Sequence, residues 1–162
     1  MDAAARLAVL KGPPVDYIVL TNRDHVREAE ACRREFKAKV YVPESDASEM
    51  GVVADKTYRD GELLPGGLWV IQLEGMKSPG ESALFLERGG GVLIVGDALI
   101  GKPAGLLNLL PAEKLPDIGK AKEGLRRLLK YSFSMVLVGD GVSILENGKE
   151  AVRHAIEPST IS

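Results

Sequence analysis

Short apolar runs alternate along this chain with charged, glycine-rich or proline-rich breaks. Tyr17 to Leu20 is an apolar run that predicts a buried strand. Val26 to Phe36 predicts a charged helix, with Ala29, Cys32 and Phe36 spaced to share one face. Lys39 to Val42 predicts a second strand, and Pro43 to Asp46 a turn. Strand, helix and strand in this order read as a right-handed parallel crossover.

The middle of the chain changes character. Gly51 to Asp55, Thr57 to Arg59, Glu62 to Leu64 and Leu68 to Leu73 are short runs between turn residues. Ser82 to Leu86 and Gly91 to Val95 predict a hairpin around Arg88-Gly89-Gly90, so this part reads as an antiparallel meander. Asp117 to Lys130 predicts an amphipathic helix carrying Ile118, Ala121, Leu125, Leu128 and Leu129 on one side. Met135 to Val138 predicts a buried strand, and Lys149 to Ile156 a closing helix. Asp2 to Leu10 is helix-prone and ends at Gly12-Pro13-Pro14. No repeat or second domain is visible, and one domain over residues 1–162 is expected.

Composition narrows the classes of function. The chain is 45% apolar and 27% charged, with a formal net charge of -2. That balance gives no case for nucleic-acid or membrane attraction. No apolar stretch is long enough to span a bilayer, and the first residues lack the layout of a signal peptide. The single cysteine, Cys32, excludes an internal disulfide and fits a reducing cytoplasm. There is no P-loop and no Gly-x-Gly-x-x-Gly, so a nucleotide-binding domain has little support. Ser78 and Ser143 have no histidine base placed by a motif, so a serine triad has little either.

Candidate chemistry gathers at strand ends. Asp24 follows the Tyr17–Leu20 run, Asp97 follows Val92–Val95, and Asp140 follows Met135–Val138. Ligands in open α/β sheets bind beyond the carboxyl ends of strands, so these three can converge on one cleft. With His25 they would suit a hard-metal or mixed oxygen and nitrogen site. Each aspartate also has a structural reading. Asp24 can cap a helix, and Asp140 can accept backbone hydrogen bonds in its Gly-Asp-Gly turn.

The order of these pieces resembles the metallo-β-lactamase superfamily of hydrolases. That family has a strand ending in Thr-His-x-His-x-Asp-His; here Leu20-Thr21 opens the match and Asp24-His25 stands at its end. Gly75 to Ser82 stands for its Gly-His-Thr-Pro-Gly-Ser, Val95-Gly96-Asp97-Ala98-Leu99 for its Thr-Gly-Asp-x-Leu, and Gly139-Asp140-Gly141 for its last Gly-His-Gly. The resemblance covers roughly residues 15 to 145, nearly the whole chain, and the ordered set is far more specific than any one motif. It implies an α/β (α+β) fold, an αββα sandwich of mixed β-sheets with outer helices. About fifteen residues precede the matching strand, so the sandwich is expected to be shortened at its N-terminus.

The departures bear on function. Asn22-Arg23 stands where the first two histidine ligands belong, and Met76 or Lys77 where the third belongs. Asp24, His25 and Asp97 remain of the second metal site, with Asp140 in place of its last histidine. A gapless alignment instead sets Asp24 on the second histidine and Arg27 on the last. The resemblance thus implies a degenerate member without the usual dizinc centre or any cofactor, with Arg23 or Lys77 replacing the lost cation. Its cleft, with Asn22, Arg23, Lys77 and Asp140, would bind an unknown small molecule or serve a structural role. The alternative is a hydrolase with one divalent metal (Zn, Fe or Mn) on Asp24, His25, Asp97 and Asp140, acting on an ester, thioester or phosphoester. A shortened first layer would leave a sheet edge or apolar face uncovered, for which a homodimer is the expected remedy.

Overall fold

The computed structural model describes residues 3–24, 26 and 28–157. Its elements run α1 (Ala3–Lys11), β1 (Tyr17–Val19), α2 (Ala29–Phe36), β2 (Lys39–Pro43), β3 (Lys56–Tyr58), β4 (Leu63–Leu64) and β5 (Leu68–Gln72). They continue with β6 (Ser82–Leu86), β7 (Val92–Val95), α3 (Ile118–Arg126), β8 (Met135–Val138) and α4 (Gly148–Ile156). Three-residue 3-10 turns at Glu44–Asp46 and Ala112–Lys114 join these elements.

The strands form two sheets. β1, β2 and β3 make a parallel three-stranded sheet, and β4 to β8 a five-stranded one in sequence order. Within the second sheet every pair is antiparallel except β7–β8, where Ile94 lies beside Leu137. The predicted crossover is present, and the meander runs from β4 to β7; the Thr57–Arg59 run expected in it instead forms β3, parallel to β2 in the first sheet.

Side-chain alternation sorts the layers. In β2, Val40 and Val42 are buried and cluster with Ile18, Leu20 and Met50 on the side of α2. Their neighbours Tyr41 and Val19 turn the other way, to Tyr58, Leu64, Val70, Leu84 and Ile94, between the sheets. The opposite face of the second sheet carries Ile71, Ala83, Phe85, Leu93, Val95 and Val136, which pack with Ala121 and Leu125 of α3 and Val152 of α4. The order is helix, sheet, sheet, helix. Each interface removes fully apolar positions from water, worth about 2 kcal/mol for each large aliphatic side chain.

The structure refines several predicted elements. The helix expected from Asp117 to Lys130 is α-helical only to Arg126, and Arg127–Lys130 tightens into a 3-10 turn. Asp117 caps it by accepting from the Lys120 amide at 3.0 Å. The helix expected from Val26 begins at Ala29. Residues 51–55 form no strand; Asp55 instead accepts from the Val40 amide at 2.8 Å. β8 is buried in full only at Val136, and Leu137 packs into none of the three apolar clusters. No described helix is long and apolar enough to cross a membrane.

Candidate functional site

The strand ends meet where the parallel and antiparallel sheets are stitched together. Tyr58 donates its hydroxyl to the Leu20 carbonyl at 2.6 Å, and the Ser82 amide donates to the Thr21 carbonyl at 2.9 Å. These bonds bring the end of β1 against the start of β6. On the far side Gly101 and Gly141 bridge the loops after β7 and β8, with the Gly101 amide donating to the Asp140 carbonyl at 2.9 Å.

A hollow of about 390 Å³ opens between these ends. Its aliphatic wall is Val19, Ile94, Leu137 and Val138, and its polar end is Thr21, Gly96, Asp97 and Asp140. Asp140 Oδ1 accepts from Lys102 Nζ at 2.7 Å, an exposed pair at the rim.

Behind Asp97 lies Glu81, 1% exposed. Burial, and then the neighbouring Asp97 charge, push its carboxyl up to about 8. The Ala98 amide donates to it at 3.3 Å and offsets part of that rise. Asn22 also favours the charged form, yet its buried Nδ2 meets no described acceptor with hydrogen-bond geometry. Gly96 makes this packing possible. A Cβ there would sit 2.5 Å from Thr21 Oγ1, 2.9 Å from Asn22 Nδ2 and 3.1 Å from Glu81 Oε1. Only a residue without a side chain lets those three groups meet.

A second polar knot lies on the turn just before Glu81, at Ser78 and Gly80. Asp46, 0% exposed, accepts from the Ser78 hydroxyl and, at 3.0 Å, from the Gly80 amide. The Arg23 amide reaches Ser78 Oγ at 3.4 Å. The loop carrying Lys77 is thereby tied both to the first sheet and to the turn after β1. On the surface above it, Lys77 Nζ pairs with Asp24 Oδ2 at 2.9 Å.

A family profile described as the metallo-beta-lactamase superfamily matches residues 4–158. The chain belongs to the metallo-beta-lactamase superfamily. Among solved structures it is similar to a metallo-beta-lactamase family protein from Thermus thermophilus, at 19% identity and a TM-score of 0.65, covering 95% of this chain and 64% of that one. The BLEG-1 B3 metallo-beta-lactamase is similar at 22% identity and a TM-score of 0.70, covering 92% of this chain and 81% of that one. A Cronobacter sakazakii metallo-beta-lactamase described by a HARLDQ motif is similar at 16% identity and a TM-score of 0.60, covering 83% of this chain and 60% of that one. These likenesses establish the fold. The chain spans less than two thirds of the Thermus protein's length. No curated protein matches it in sequence.

Within this superfamily frame the motif residues separate into two groups. Asp97 and Asp140 border one hollow, whereas Asp24 and Lys77 form a surface pair that does not line it. Asn22 is 2% exposed and holds the turn, its Oδ1 accepting from the Asp24 amide at 3.0 Å. Arg23 turns its guanidinium to Glu49 rather than to any of the three aspartates. His25 lies outside the described residues, as does Arg27. Among the described residues no three His, Cys, Asp or Glu side chains are grouped to hold a metal ion.

Glu81 and Asp46 are the site residues that motif reading passed over. Asp46 read as one polar residue of a turn, and Glu81 as an unassigned position of the Gly75 to Ser82 stretch. A signal was present for Glu81: an acid directly abutting Ser82-Ala-Leu-Phe-Leu, a run with no polar face to receive it.

Proposed function

We propose that this protein is a superfamily member whose cleft binds a ligand without the usual dizinc centre. The observation that carries the reading is the Lys77–Asp24 pair. Met76 or Lys77 stands for the family's third metal-binding histidine; Met76 is buried in the apolar core, and the Lys77 ammonium rests on the motif's aspartate. A cation there repels a metal ion and satisfies the carboxylate in its place, although both side chains reach solvent and the pair itself is weak.

The donor set supports this. The chain has two histidines, His25 and His154, and the second is exposed on α4 at the outer face. Zinc sites draw mainly on His and Cys, so the residues present do not fit two zinc ions. The ligand would seat its polar end against Thr21 and Asp97 and its apolar part on Ile94 and Leu137.

The competing reading is one divalent metal on Asp24, His25, Asp97 and Asp140, which would supply an activated water for hydrolysis. Metal analysis of protein purified without chelator separates the two. Less than one metal ion in ten chains, and no thermal shift with zinc, iron or manganese, is expected. Near-stoichiometric metal that disappears in Asp97→Ala would overturn the proposal.

A further inference from the structure

No further inference is drawn: the strongest candidate, the buried side-chain cluster of Glu81, Asn22 and Thr21 packed on Gly96 behind the hollow, belongs to the site already described, where the Glu81 carboxyl lies beside Asp97 of the superfamily's metal motif.

Discussion

Two buried carboxylates flank the same turn and are treated in opposite ways. Asp46 receives the Ser78 hydroxyl and the Gly80 amide, donors from the turn itself. Glu81, one residue past Gly80, receives the Ala98 amide at 3.3 Å and the Asp97 amide, but sits beside the Asp97 carboxylate. Both are almost wholly removed from water. Burial is therefore not what separates them, nor is the number of donors; the neighbouring Asp97 charge is. The first is a fastener for the loop that carries Lys77. The second is an acid held largely protonated at neutral pH, directly behind the hollow.

The largest test of that contrast is pH. Glu81 is raised in the folded protein from an ordinary 4.5 to about 8. The folded state therefore keeps its proton in a range where the unfolded chain has lost it. Below the ordinary value both states are protonated and nothing is lost. As pH rises from about 4.5 to about 8, this group should reduce stability by about 1.4 kcal/mol per unit, and above that the loss is complete. Urea unfolding across this range should show the decline in wild type and a much flatter profile in Glu81→Gln, which stays neutral. Parallel profiles for the two proteins would mean that Glu81 is not held protonated.

Asp46→Ala comes next. It leaves the Ser78 hydroxyl and the Gly80 amide without an acceptor in a place water does not reach. A loss of about 3 kcal/mol is expected, read as a lower urea midpoint with an unchanged slope. A loss below about 1 kcal/mol would show that the turn finds other partners, and would erase the distinction between the two acids.

How much of this was legible in the sequence follows the same division. Strand and helix positions follow period, so β2, β6, β7 and α3 could be read from the spacing of Val40, Leu84, Leu93 and Leu125. The superfamily frame could be read from the order of Thr21, Asp24, Asp97 and Gly139 to Gly141. What could not be read were relations between distant residues. Asp46 and Ser78 are far apart in the chain and become partners only when the 78–82 turn docks on the first sheet. Arg23 and Lys77 read as equal candidates to neutralise the aspartates, and packing alone sends one to Glu49 and the other to Asp24. The end of β8 reads as buried from composition, because a sequence does not say how many strands of the other sheet lie over it.

Asp97→Asn sharpens the account of Glu81. Burial is the larger cause of the raised carboxyl and the Asp97 charge the second. Removing that charge should move the midpoint of the pH-dependent loss downward without restoring it to the ordinary carboxylate range. The difference between Asp97→Asn and wild-type unfolding profiles measures that step. No movement would assign the whole rise to burial, and a complete return would assign it to the charge.

The smallest effect belongs to the third acid near this turn, the one that water reaches. In the Lys77–Asp24 pair the two side chains are 51% and 28% exposed. Solvent screens such a pair, and it contributes about 0 to 1 kcal/mol. Lys77→Ala should therefore lower stability by less than about 1 kcal/mol, and salt at about 1 M should shrink even that difference, since screening acts within about 3 Å there. The value of the pair is then positional: it occupies Asp24 with a cation at little energetic cost or gain, as a replacement for a metal would do and as a structural clamp would not. A loss above about 2 kcal/mol that persists in salt would make Lys77 a fastener like Asp46, and would remove the main support for reading it as a substitute for the metal.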